Sequence, residues 1–349
     1  MQESIFVICW AAALAPLFVW GFRNLPGERW QFIAAVPCRK IADGKWAGIN
    51  LTYYGALLSA GTVAGAALLL VLLGSLGQPR FMILGILLIL LMICVPSAQV
   101  VAMLVERKRY TLTVGGACFV GMIIAPPVVY AMGRLVAVPM GFRLDVMPTI
   151  TALMIAYTMG EGIGRLACLS FGCCYGRPVD DCPSWVRSSI GRWAVVFEGR
   201  TKKACYASGF EGRPLVAVQA FTSLVYLLLA LVSMRLFLSG WFASSLFMAV
   251  LSQVWRFLSE FVRADYRGGG RISAYQVMAL ATFGYLAAAA GLFRNALAAE
   301  PDIRLGLAAV WDPGTILLLI LLWLSIFLRT GVSSVTGSRL SFHVVSERV

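Results

Sequence analysis

Histidine is almost absent from this chain: His343, in the C-terminal tail, is the only one. The body of the chain therefore lacks an imidazole, the usual neutral-pH base and metal ligand. Charge is scarce as well. Asp, Glu, Lys and Arg together make up 13% of the residues, where a soluble domain carries about 25%. Negative charge is the scarcer sign, with 16 Asp and Glu against 29 Lys and Arg, for a net charge of +13. Hydrophobic residues make up 60% and the mean hydropathy is +0.83. A water-soluble fold cannot hide that much apolar surface, so lipid is the solvent for most of the chain.

What is present is a series of charge-free runs. They cover Ser4 to Phe22, Ile49 to Pro79, Phe81 to Val105, Tyr110 to Gly133, Pro214 to Met234, Leu236 to Trp255 and Ile272 to Phe293. Each is close to or above the roughly 20 apolar residues that cross a hydrocarbon core. Met147 to Gly172, interrupted by Glu161 and Arg165, and Pro313 to Leu328 are two further candidates. The expectation is an all-α polytopic membrane protein of about nine spans, because a backbone in lipid must satisfy its own hydrogen bonds. Continuous runs, rather than alternating ones, disfavour a barrel. The first run is read as a retained span: Met1-Gln2-Glu3 carries no positive charge, unlike the start of a cleavable signal.

Two connections are long. Arg23 to Gly48 reads as a loop after an extra first span, giving a segment 1–48. Cys173 to Arg213 reads as a small head on the membrane surface, with strand character from Arg192 to Phe197. Between and around them lie core spans over 49–172 and 214–295, an extra span over 296–330, and a polar tail, 331–349, expected to be disordered. Loop charge is lopsided. Arg23, Arg29, Arg39, Lys40, Lys45, Arg107, Lys108, Arg109, Arg263, Arg267 and Arg271 fall on the side of the head; Arg80, Arg134, Arg143, Arg235, Arg294 and Arg304 fall opposite. Counted by the positive-inside rule, the head would be cytoplasmic. Positives scattered over short loops suit anionic lipid and not nucleic acid, so no nucleic-acid partner is expected.

An ionisable residue inside a span is a functional hypothesis by default. Glu161 and Arg165 are four apart in Gly160-Glu161-Gly162-Ile163-Gly164-Arg165, so they share a helix face and can pair. Arg256, Glu260 and Arg263 recur at i, i+4 and i+7 among Phe, Leu and Val, a net positive face suited to an anion. Guanidinium is the natural bidentate partner of phosphate. The bland alternative is a self-neutralising pair at a span end; two such groups, one beside a Gly- and Cys-rich turn, favour function.

At these residues the chain resembles the prolipoprotein diacylglyceryl transferase family. The matching runs are Gly164-Arg165-Leu166-Ala167-Cys168 followed by Gly172-Cys173-Cys174-Tyr175-Gly176-Arg177-Pro178, then Arg256-Phe257-Leu258-Ser259-Glu260-Phe261-Val262-Arg263, then Tyr275-Gln276, with Tyr53-Tyr54-Gly55 at the start of the first core span. Their order fits over residues 50 to 295. The resemblance implies a seven-span core and transfer of diacylglyceryl from phosphatidylglycerol to the cysteine thiol of a lipobox-containing precursor, with glycerol 1-phosphate leaving. It implies Arg165 and Arg256 as a phosphate clamp, Glu260 orienting Arg256 with Arg263 nearby, and Tyr54 as a polar contact. Cys168, Gly172, Cys173, Gly176, Arg177 and Gln276 complete the expected substrate-binding set. It also implies a bacterial inner-membrane protein with its site facing the periplasm, against the charge count.

The chain departs from the family pattern. Val114-Gly115-Gly116 stands where the family has His-Gly-Gly, Arg213-Pro214 where it has His-Pro, and Val218-Gln219 where it has Tyr-Glu. Cys168 replaces an Asn and Cys173 a Glu. Without an imidazole, Glu161 is the expected base, or else Arg165 stabilises a thiolate. Cys173 and Cys174 have three readings: packing, a disulfide with Cys182 or Cys205, or metal binding. The last has least support, since paired C-x2-C knuckles and His partners are missing. No metal and no cofactor are assigned. A non-catalytic relative that binds anionic lipid, or one with a different acceptor, is the rival; a transporter is disfavoured by the absence of repeated broken helices.

Overall fold

A computed structural model of the chain describes residues 2–42, 45–107, 113–266, 272–292, 300–333, 341–343 and 347. Lys108, Arg109, Arg267, Arg271 and Arg294, counted above for loop charge, lie outside the described residues.

The long helices are α1 (Gln2–Asn24), α2 (Tyr53–Ser75), α3 (Arg80–Glu106), α4 (Val114–Met132), α5 (Val146–Phe171), then α8 (Val218–Leu238), α9 (Phe242–Ser259), α10 (Ala274–Leu292) and α12 (Pro313–Thr330). Short helices α6 (Ser184–Ile190), α7 (Lys203–Ser208) and α11 (Ile303–Val310) sit between them. Among the described residues, eight helices are long and apolar enough to cross a membrane. The remaining long helix is α5. It has 26 residues, but Glu161, Arg165 and its glycines lower its apolarity. It needs less, because it is the centre of the bundle, packed against α2, α8, α9 and α4. The outer helices turn their large residues to lipid: Leu88, Met92, Leu228, Leu317 and Ile320 are all more than half exposed. The expected polytopic helical architecture is the one observed.

Helix α5 reaches the centre because its neighbours come close. A Cβ on Gly61 of α2 would lie 2.6 Å from the carbonyl oxygen of Gly160, and one on Gly65 2.7 Å from that of Ala156. Two glycines four apart on α2 thus face Gly160 and Gly164 on α5, the small-residue packing by which membrane helices associate without a hydrophobic drive. On the other flank Ser223 of α8 donates to the Gly162 carbonyl, and Trp255 Nε1 of α9 donates to Thr222 Oγ1 at 3.1 Å.

Two stretches differ from their expected form. The loop after α1 is a hairpin, β1 (Phe32–Ala42) antiparallel to β2 (Lys45–Thr52), with Ala35 opposite Asn50. The tail, expected to be disordered, returns to it: β5 (Val332–Ser333) and β6 (Ser341–His343) both pair with β2. Thr52 explains the junction. Its backbone N–H and its hydroxyl both donate to the Gly331 carbonyl, at 2.9 and 3.1 Å, while its hydroxyl oxygen caps α2 by accepting from Gly55 N. Backbone-to-backbone contact is what requires glycine there, since a Cβ on Gly55 would meet Gly331 Cα at 2.0 Å.

The head contains α6, α7 and a two-stranded sheet of β3 (Val195–Val196) and β4 (Pro214–Leu215). Lys202 ties it to the bundle. Its side chain is fully buried, and Nζ donates to the carbonyls of Leu25 at 2.9 Å and Ser170 at 2.6 Å. Two acceptors suit a neutral amine, and burial pushes the Lys202 ammonium down from 10.5 to about 8.

Gly61→Val is expected to cost about 1–3 kcal/mol through overpacking, read as a lower unfolding midpoint in detergent; an unchanged midpoint contradicts the close α2–α5 contact. Lys202 carries a pH dependence. Between pH 8 and 10.5 the unfolded chain keeps a proton that the folded one has lost, so its contribution to stability rises with pH across that window and its penalty is fully present below it. The stability of wild type relative to Lys202→Met should therefore increase from pH 8 to pH 10; a flat difference contradicts it.

Candidate functional site

One face of α5 carries Tyr157, Glu161 and Arg165 at successive i, i+4 steps. Glu161 and Arg165 form an ion pair, through Nη2 and Oε1, with side chains only 8% and 10% exposed. One carboxylate does not saturate a guanidinium with five donors: Arg165 Nε is buried with no hydrogen-bond partner.

The second guanidinium comes from α9. Arg256 is buried, and Nη1 donates to Tyr157 Oη at a long 3.5 Å. Among the described residues it makes no ion pair. It lies on the start of α4, where a Cβ on Gly115 would stand 1.7 Å from Nη2. Gly115 is thus the opening that lets the guanidinium in. Both arginines interact electrostatically with Glu161 and with Tyr226 of α8. Tyr226 is fully buried and its Oη lacks a hydrogen-bond partner of normal geometry. The structure thus gathers two guanidiniums, one carboxylate and two phenols, with unused donors on Arg165 and Tyr226. Tyr54 adjoins this group: its ring packs edge-on against Phe171, centroids 5.6 Å apart, within electrostatic reach of Glu161, Cys168, Cys173 and Cys174.

Other expected site residues have different partners. Helix α9 ends at Ser259, and Glu260–Val262 is a tight turn with Arg263 extended. The i, i+4, i+7 face is therefore broken before Arg263. Glu260 does not orient Arg256; it pairs with Arg263, Nη1 to Oε1 at 3.4 Å. Arg263 also grips Asp265 through Nε and Nη2, both at 2.8 Å. Its backbone bridges to Gly176, while Arg177 N donates to the Val262 carbonyl and Ala264 N to that of Tyr175. This clasp needs glycine at 176, where a Cβ would meet the Val216 oxygen at 2.3 Å. The Arg177 side chain itself is exposed. Gln276 closes a capping box with Ser273: each backbone N–H donates to the other's side chain, at 2.8 and 3.1 Å. Its Nε2 donates to Phe257 O at 3.3 Å.

The turn after α5 brings three cysteines together. Gly172 takes φ +70° and Cys174 φ +57°, and Cys173 N donates back to the Cys168 carbonyl at 3.1 Å. The three sulfurs lie within 4.8 Å of one another. Gln219 Nε2 steadies the turn through the Cys173 carbonyl at 2.8 Å. None of the nine cysteines is in a disulfide. Cys182 and Cys205 belong to two separate apolar clusters of the head, so neither pairs with Cys173 or Cys174.

Tyr157, Tyr226 and Gly115 were not among the expected residues. Tyr157 is one helical turn before Glu161, a spacing visible in the sequence. Tyr226 sits alone in an apolar run, and nothing local marks it. The two arginine environments give opposite expectations for stability. Arg263→Gln removes the guanidinium that both Glu260 and Asp265 pair with and is expected to cost about 3–5 kcal/mol. Arg256→Gln strands no carboxylate and is expected to keep the wild-type unfolding midpoint in detergent to within a few degrees; equal losses from the two would contradict this division.

Comparison with known proteins agrees with the geometry. The family described as prolipoprotein diacylglyceryl transferase matches residues 45–293, well over half of the chain. No curated protein matches it. A match of that extent, over the helices that carry Arg165 and Arg256, places the chain in the prolipoprotein diacylglyceryl transferase family.

Proposed function

We propose that the protein transfers a diacylglyceryl group from phosphatidylglycerol to the thiol of a lipobox cysteine, with Arg165 and Arg256 binding the lipid phosphate. The observation that carries this reading is the charge count of the site: two buried guanidiniums on different helices opposed by a single carboxylate. A buried cation in that state is costly unless an anion completes it. A phosphodiester fits, because it offers paired oxygens to two planar forks.

The chemistry follows. The thiol sulfur attacks the glyceryl carbon that bears the phosphate; the S–C bond forms and the C–O bond breaks. The electron pair leaves on glycerol 1-phosphate, and the thiol proton goes to solvent or to a base. Charge builds on the departing oxygen, where preorganised donors stabilise the transition state. Arg256 and the free Nε–H of Arg165 are those donors in this proposal, with the hydroxyls of Tyr226 and Tyr54 beside them. Glu161 is tied to Arg165, so it is assigned to hold the guanidinium and not to take the thiol proton. Both arginines stand within two turns of the end of α5 or α9 nearest the head, which suits a substrate arriving from that side; the periplasmic orientation is part of the proposal.

The test uses the full chain in mixed phosphatidylglycerol and phosphatidylcholine vesicles with a lipobox peptide, reading the thioether by mass. Wild type should form it. Arg165→Ala and Arg256→Ala should each slow it by at least about 100-fold, and Arg256→Lys should not restore the rate, since a point charge cannot replace the fork. Phosphatidylglycerol binding with no thioether would overturn the reaction and leave a lipid-binding protein.

A further inference from the structure

The proposed phosphate clamp assigns no role to the cysteine turn after α5. Cys168, Cys173 and Cys174 place three sulfurs within 4.8 Å of one another, and none of the three, all partly buried, is in a disulfide. Thiolates bound to one zinc ion lie about 2.3 Å from it, which sets its sulfurs about 4 Å apart.

Three cations stand near the turn. Arg165 interacts with Cys168 and Cys174, Lys203 with Cys173 and Cys174, and Arg263 with Cys174. Three thiolates around a dication leave one net negative charge; Arg165 and Arg263 are already paired with Glu161 and with Glu260 and Asp265, which leaves Lys203 to offset it. The backbone is committed to the arrangement as well: Cys174 holds the left-handed conformation, uncommon for a residue other than glycine and concentrated at functional sites.

We infer that Cys168, Cys173 and Cys174 bind a thiophilic d10 cation, with Zn2+ the first candidate, and that its open fourth position takes the acceptor thiol. Three soft sulfur ligands select such ions over Mg2+ or Ca2+. Among the described residues the cluster offers three ligand atoms, the number that a catalytic site uses when it keeps one position for substrate. The second half of this inference rests on the proposed transfer reaction. There it supplies what the site otherwise lacks, since Glu161 is occupied and the chain's one histidine is in the C-terminal tail. A thiol that coordinates the cation gives up its proton to solvent and stays a thiolate. That sulfur then forms the S–C bond, the C–O bond breaks, and glycerol 1-phosphate leaves with the electron pair. The cation is neither oxidised nor reduced.

Full-length protein, purified in detergent with reductant and without chelator, should carry about one equivalent of zinc by elemental analysis. Loading the stripped protein with Co2+ alone should produce a near-ultraviolet thiolate-to-cobalt band. Losing one ligand should weaken Zn2+ binding by more than about 100-fold in Cys168→Ser, Cys173→Ser or Cys174→Ser, whereas Cys38→Ser, on the exposed hairpin, should bind as wild type does. Monodisperse wild type with neither zinc nor a cobalt band overturns the site, as does a disulfide within the cluster under reductant. The catalytic half has its own arm. Stripping the metal should abolish thioether formation while phosphatidylglycerol binding persists, and undiminished transfer by stripped protein overturns it. A metal-bound protein that makes no thioether sinks the transfer reaction and leaves the metal site standing.

Discussion

The structure turns on the burial of two guanidiniums against one carboxylate in a protein solvated by lipid. Desolvating a charge costs several kcal/mol even after relaxation, and a chain this poor in acidic residues has few ways to offset it. Arg263 is neutralised locally by Glu260 and Asp265. Arg165 is half neutralised by Glu161. Arg256 rests on a phenol and a glycine. That gradient divides the arginine that holds the fold from the two to which the proposed function assigns an anion.

The surrounding packing serves this arrangement. Helix α5 can be central because Gly61 and Gly65 bring α2 into backbone contact with it, and Gly115 opens the end of α4 to Arg256. The Arg263 clasp and the buried Lys202 fasten the head to the ends of α9 and α5. Those are the ends on which Arg165 and Arg256 lie. The cysteine turn is held in the same place, by Gln219 from α8 and by Ala204 N donating to the Gly172 carbonyl.

Much of this was legible in the sequence, because lipid makes strong demands on it. Apolar runs gave the spans, and Glu161 and Arg165 stood out as charges within one of them. The order of the short motifs was enough to suggest the family. What failed did so where local spacing was trusted past a helix end. Arg256 and Arg263 share a face only if α9 continues, and it stops at Ser259. Gln276 and Gly176 have polar or glycine identities that a cap and a backbone crossing explain. The returning tail depends on pairing between residues about 280 apart, as between Asn50 and Ser333, which no local pattern reports. The cysteine cluster was visible as a spacing; its closure depended on left-handed backbone at Gly172 and Cys174.

The central claim is that one phosphate completes both unsatisfied guanidiniums. The most direct measurement is a structure of the full chain in a phosphatidylglycerol bilayer, resolved well enough to place side chains. The account predicts a lipid phosphate within hydrogen-bonding distance of both Arg165 and Arg256. A resolved lipid headgroup elsewhere, with Arg256 neutralised by a protein carboxylate instead, would contradict it.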